Sequence, residues 1–314
     1  MTAEPVTHFA EHFRAPEDYL YLLVDGLADC ALEHPLSVPS LSRSLGDAAV
    51  TRVLRPDLSH APEACPALIQ LAKPGESAAL HYLELSAGYS SWDLSYYKRY
   101  ICGWLLSPQP PDVIAGHIAT RCHTTASGDE QCSAWFEPLR LELLSGSMGT
   151  AAGDLLNPIR IWLCPTSWKG YILVHGTNHP VDSVLPLSAR DTQRMAPVVS
   201  EFLDAWRHTL QLPLGFAPWR WKGASILPPQ AAVHAFRLVR EAYRLGLDNS
   251  RDIIALCLHQ VFIHPHLPRH PDIQQLIAQA RAGAVDLQSH FASHYSEAKW
   301  KRITADLPQA KDYS

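Results

Sequence analysis

The sequence predicts an α+β fold: a mixed N-terminal lobe around a small β-sheet, residues 1–186, then an all-helical lobe, residues 187–314. Two patterns carry this reading. Up to about Pro186, short apolar runs of strand length are interleaved with helical patterns, and beyond it apolar residues recur only at helical spacing. The length of 314 residues, 47% of them hydrophobic, supplies material for two cores and excludes a disordered composition.

Taken in order, Met1 to Pro16 reads as a loose lead-in. Tyr19 to Val24 is the first strand, and Asp25-Gly26 turns the chain into a short helical piece, Leu27 to Leu32. Pro35 to Pro62, rich in Pro and Ser, reads as a long surface excursion. Leu68 to Leu71 is a strand ended by Pro74-Gly75, and Glu76 to Leu85 a helix with Leu80 and Leu83 turned inward. A polar aromatic stretch runs from Tyr89 to Tyr100.

Trp104 to Leu106 is a buried strand. Pro110 and Pro111 suit a first helical turn, where a missing N–H costs nothing. Val113, Ile114, His117 and Ile118 then recur at helical spacing. Thr124 to Gln131 holds a turn signal, Ser127-Gly128-Asp129. Trp135 and Phe136 resume an extended run that Pro138 ends, opening the next helix. Ile159 to Leu163 and Tyr171 to Val174 are the last strands.

In the second lobe, Met195, Val199, Phe202, Trp206 and Leu210 share one helical face. Pro213 to Pro229 is a connector carrying Trp219-Arg220-Trp221-Lys222. Helices follow with Val233, Phe236 and Val239 inward, then from Ser250, then from Pro271, with Gly246 and Gly283 as left-handed ends. Leu287, Phe291 and Trp300 belong to a last helix.

The net charge of −5 is spread along the chain, and without a basic block neither nucleic acid nor an anionic membrane is an expected partner. No apolar run reaches membrane-spanning length. Met1 to Glu17 lacks the apolar core of a signal peptide, and seven scattered cysteines without CxxC fit reduced thiols in a cytoplasm.

Reaction motifs are sparse. Ser145-Gly146-Ser147-Met148-Gly149 lacks the first glycine of a nucleophile elbow, and no Gly-rich phosphate cradle is present. His259, His264, His266 and His270 form the richest histidine cluster, but Pro265 and Pro268 break it, so no metal site is expected. Cys122, His123 and Cys132 flank a turn, and the two cysteines read as small buried thiols rather than as members of a zinc site. His117 reads as a satisfied, partly buried histidine. Glu137 is expected to accept backbone N–H bonds where the Pro138 helix begins. Trp219, Arg220 and Trp221 are residue types that dominate protein interfaces, and they either anchor a partner or seal the seam between lobes.

The segments Trp104 to Ser107, His117-Ile118 and Trp135-Phe136-Glu137-Pro138, in that order and spacing, resemble the effector-adaptor (effector-chaperone) family of bacterial type VI secretion, long known as a domain of unknown function. Tyr21 to Gly26, with Asp25, resembles the family's first strand and its Asp, and Cys65 to Ile69 its Pro-led second strand. The helical tail is echoed in Leu245-Gly246-Leu247, Asp252 to Leu258 and Pro268 to Leu276. The chain departs from the pattern at Ala134, where an arginine is expected, and at Glu137, where an aspartate is expected.

The resemblance implies a cytoplasmic, non-enzymatic adaptor with no cofactor. Its partners would be a toxin effector protein and the VgrG spike protein onto whose tip the effector is loaded. The alternative is a hydrolase-like enzyme with His117 and Glu137 in a cleft, and a third reading is a self-assembling structural subunit.

Overall fold

The computed structural model describes residues 3–95, 98–124, 132–177, 185–211 and 226–308. The chain divides into two compact units, Met1–Arg194 and Met195–Ser314. The division falls inside one helix, Leu187–Gln211, rather than at its start.

The first unit is built on a six-stranded antiparallel sheet. Its strands are β1 (Tyr19–Val24), β2 (Val50–Arg52), β3 (Ala67–Ala72), β4 (Ile101–Ser107), β5 (Ile161–Pro165) and β6 (Tyr171–His175), in the order β2-β3-β1-β4-β5-β6. Side chains alternate across a strand, so β1 sends Tyr21 and Leu23 into one core and Leu20, Leu22 and Val24 into the other. Helices cover both faces, which is why the central strands read as unbroken apolar runs. On one face lie α4 (Pro111–Thr124), α5 (Pro138–Met148) and the first turns of α6 (Leu187–Gln211). On the other lie α1 (Glu4–His12), α2 (Val38–Leu45) and α3 (Leu80–Trp92).

Several local expectations are corrected. The lead-in is a helix: α1 opens with Pro5 in its first turn and buries Val6, Phe9 and Ala10 at i, i+3, i+4. Leu27 to Leu32 is not helical, because Asp25 holds a tight turn, its Oδ1 accepting from the Leu27 N–H at 3.0 Å. The Pro-rich excursion contains α2, capped by Ser37, and the edge strand β2. α3 starts at Leu80, which is exposed, whereas Leu83 is buried. Trp135 and Phe136 do not join the sheet; they form a fully buried turn leading into α5, with Trp135 Nε1 donating to the Ile118 carbonyl at 3.2 Å.

Gly103 carries a special burden. The β1–β4 register slips between Leu23 and Val24, and around this bulge Ile101 and Trp104 reach the same core although they lie three residues apart. Gly103 has φ +141, and a Cβ there would sit 2.3 Å from Trp162 Nε1. Gly103→Ala is therefore expected to destabilise the first unit by at least about 2 kcal/mol, from backbone strain and overpacking together. A urea midpoint unchanged from wild type would refute it.

The second unit is helical: the rest of α6, then α7 (Ala231–Arg244), α8 (Ser250–Phe262), α9 (Pro271–Arg281), α10 (Leu287–His294) and α11 (Glu297–Ala305). The expected single last helix is two, separated where Ser296 caps α11. Asp252, near the start of α8, accepts from the Leu287 N–H at 2.7 Å and so fixes the start of α10.

Candidate functional site

The resembling segments converge at one end of the sheet. Asp25 directly follows β1, and its N–H donates to the Tyr100 carbonyl at 2.8 Å, just ahead of β4. This brings Lys98 and Arg99 over the end of β1. Asp25 is fully buried, with Lys98 Nζ 3.2 Å from its Oδ2 and no other partner for that oxygen among the described residues. Burial raises the Asp25 carboxyl above its ordinary range, and Lys98 opposes that rise.

Lys98 also donates to Glu137 Oε1. Burial draws the ammonium down, but Glu137 and Asp25 outweigh it and hold it above its usual value. Arg140, one helical turn beyond Glu137, donates to Glu137 Oε2 at 3.3 Å. Its Nη1 reaches the Gln193 carbonyl at 2.9 Å, and Gln193 Nε2 returns a bond to the Arg140 carbonyl at 3.2 Å. Asp25, Lys98, Glu137 and Arg140 thus form a charge-balanced chain joining the end of β1, the start of β4, α5 and the start of α6.

A second chain continues the polar layer. Arg99 donates to Asp93 Oδ1 at 3.0 Å, to the Thr166 carbonyl at 3.0 Å and to the Ser90 carbonyl. Asp93 Oδ2 accepts from the Tyr100 and Ile101 N–H groups at 2.9 and 3.2 Å. Glu142 accepts from the Ser167 N–H at 2.8 Å and holds the β5–β6 turn. These are groups that set segment geometry, each already engaged.

Asp25 and Glu137 are brought together through Lys98. Glu137 does occupy the N-cap of α5, but its side chain makes no capping bond; the expected backbone role is replaced by Lys98 and Arg140, cations within reach of the same carboxylate. His117 stands apart. Its Nε2–H donates to the Leu155 carbonyl at 2.9 Å, and its ring lies edge-on to Trp135. Burial, with Arg121 adding to it, lowers its pKa to about 4. No hydrogen bond or ion pair among the described residues joins His117 to Glu137. Ser107 donates to the Pro158 carbonyl at 2.9 Å, and Trp104 Nε1 donates to Ser86 Oγ at 2.9 Å. Phe136 packs under the Arg55 guanidinium, and Pro138 opens α5. Trp219, Arg220 and Trp221 lie outside the described residues.

The sequence reading missed Lys98, Arg99 and Arg140. The available signals were two adjacent bases directly before a buried strand, and an arginine three residues beyond a glutamate on a helix. Among the described residues no three His, Cys, Asp or Glu side chains are placed to hold a metal. His264 Nδ1 accepts from the His266 N–H and His270 Nδ1 from the Asp272 N–H, so these histidines organise their own turn.

The same unit presents apolar side chains outward. The Tyr89 hydroxyl donates to the Asp29 carbonyl at 2.9 Å, and its ring packs edge-on to both His34 and Trp92. Trp92, packed on Tyr89, is 59% exposed, and Leu32 in the same unit is 69% exposed. No helix among the described residues is long and apolar enough to cross a membrane. Comparisons with protein-family models, curated proteins and solved structures return no match.

Proposed function

We propose that this chain is a cytoplasmic, non-enzymatic adaptor that binds a toxin effector of a type VI secretion system and delivers it to the VgrG spike tip. The observation that carries the reading is the use made of the family-like residues. Asp25 and Glu137 are consumed in one interlocked scaffold, while Ser107, His117, Trp104 and Trp135 are each tied to backbone or to a neighbouring side chain. A motif whose members fix segments to one another supports a recognition platform.

The exposed side chains of Trp92, at the end of α3, and of Leu32 are of the kinds that anchor a protein partner. A segment of the effector is their proposed partner. The double change Leu32→Glu and Trp92→Glu is expected to weaken effector binding by more than about 2 kcal/mol, roughly thirtyfold, while the melting temperature stays nearly constant. Co-purification and calorimetry with candidate toxin effectors and VgrG spike proteins from the same source provide the test. Unchanged affinity for both partners would remove this surface from the proposal, and no binding by wild type to either would remove the adaptor reading. Reproducible turnover that disappears in a folded His117→Ala or Glu137→Gln protein would favour the hydrolase-like alternative.

A further inference from the structure

On the α4 face of the sheet two thiols meet beside Ser133, whose Oγ accepts from Arg140 at 3.4 Å. Cys122, in the last turn of α4, is fully buried, while Cys132 is half-buried. The Ser133 N–H donates to the Cys122 carbonyl at 2.7 Å, so the backbone that carries Cys132 is tied to the backbone that carries Cys122. The two side chains are within hydrogen-bonding reach of each other.

Beside them is Arg55, 6% exposed, with its guanidinium over the Phe136 ring. Its Nε and Nη2 donate to Asp57, at 3.1 and 2.6 Å, and among the described residues the buried Nη1 has no hydrogen-bond partner. A fixed, buried cation with an unused donor is an arrangement that favours a neighbouring anion. Asp57 already supplies one anion to this guanidinium and also reaches the Cys132 thiol, so a Cys132 thiolate would be a second anion beside the same cation.

We propose that Cys122 and Cys132 are a redox-active dithiol, with Cys132 the attacking thiolate, Cys122 the resolving thiol and Arg55 the cation that positions and stabilises the thiolate. The oxidant class is a peroxide. Cys132 sulfur attacks one peroxide oxygen, the O–O bond breaks, and Cys132 becomes a sulfenic acid while the departing oxygen leaves as hydroxide and takes up a proton. Cys122 sulfur then displaces the sulfenic hydroxyl. The S–S bond forms, the S–O bond breaks, and the Cys122 proton leaves with hydroxide as water. Two thiols lose two electrons and two protons, and one hydrogen peroxide becomes two waters.

The electrostatics agree with this division of roles. Contact with the Cys122 side chain lowers the Cys132 thiol below its ordinary value and Arg55 adds to the lowering, against burial and the neighbouring Asp57 carboxylate, which both raise it. Cys122 is pushed up, first by that same contact and then by burial. Burial also pushes up Cys30, Cys102, Cys164 and Cys257, which makes those thiols poor nucleophiles.

The test uses the full-length reduced chain, treated with hydrogen peroxide under native conditions, blocked with N-ethylmaleimide and mapped by mass spectrometry. The expected product has lost two hydrogens and yields one linked peptide pair, Cys122 with Cys132, which dithiothreitol reverses. Cys122→Ser should accumulate a dimedone-reactive sulfenic acid at Cys132, and Cys132→Ser should give neither product. Arg55→Met should slow oxidation roughly threefold or more, because the thiolate fraction falls while the higher nucleophilicity of a more basic thiolate offsets part of the loss, and Arg55→Lys, which keeps the charge, should slow it less. Oxidation at other cysteines first, or Cys122 and Cys132 reacting no faster than in urea-unfolded protein, would overturn the proposal.

Discussion

Lys98→Met is expected to destabilise the first unit by about 3 kcal/mol, because it leaves a fully buried carboxylate without the only cation that pairs with it among the described residues. The figure is set at the lower end for a broken buried pair because the Lys98 and Glu137 side chains remain 27% and 23% exposed. A second substitution separates loss of charge balance from loss of packing. Asp25→Asn in the Lys98→Met background removes the stranded charge and should restore most of the stability. The pH dependence carries a definite sign. Burial raises the folded-state pKa of Asp25, so its protonated form favours folding below the ordinary carboxylate range, and that contribution is lost as pH rises through the raised value. Without Lys98 the folded pKa rises further, so the Lys98→Met protein should gain stability relative to wild type as pH falls from neutrality. Urea midpoints at several pH values provide the measurement. A variant within about 0.5 kcal/mol of wild type at neutral pH would show that solvent, not Lys98, compensates Asp25.

The strands were legible because both faces of the sheet are covered. Tyr19 to Val24, Leu68 to Leu71 and Tyr171 to Val174 contain little besides apolar residues, and such runs have few other destinations. The helices of the second unit were legible from periodicity alone. What failed was context. Trp135 and Phe136 are as apolar as a strand, yet their backbone turns because Glu137 and Pro138 begin a helix there and Ile118 offers a carbonyl to the indole. The first helix was hidden by charged and polar residues around only three buried side chains. Asp25 and Glu137 could be picked out as notable residues, but their shared cation could not. Lys98 is far from both along the chain, and only the antiparallel pairing of β1 with β4 brings it beside Asp25.

That pairing also bears on the departure at position 134. An arginine expected there is Ala134, which is buried in the α4–α5 core. Arg140 reaches back over the same stretch, donating to Ser133 Oγ at 3.4 Å as well as to Glu137 and the Gln193 carbonyl. A cation therefore still faces Glu137 on this side, supplied from the next helical turn. The local charge balance is met here from position 140, whose guanidinium is within reach of the carboxylate.

Acidification should unfold the second unit through His259. This residue is packed against Phe291 and Trp300, with ring centroids 4.2 and 5.1 Å away, and its Nδ1–H donates to the Ala255 carbonyl at 2.6 Å. Burial lowers its pKa from 6.5 to about 4. A histidine with a depressed folded-state pKa resists protonation that the unfolded chain accepts. It therefore costs nothing well above pH 6.5, and its penalty grows as pH falls from there toward 4. The full gap corresponds to on the order of 3 kcal/mol. His259→Phe keeps the aromatic packing and removes the titration. It is expected to lie within about 1 kcal/mol of wild type at pH 7.5 and to exceed wild-type stability by roughly 2–3 kcal/mol near pH 4.5. Other titrating groups, including Asp252, whose carboxyl burial raises, are present in both proteins and cancel in the difference. Urea unfolding followed by far-ultraviolet circular dichroism at each pH provides the comparison. Parallel stability curves for the two proteins across that range would mean that His259 takes up its proton without leaving the folded core, and burial would then not be what sets its titration.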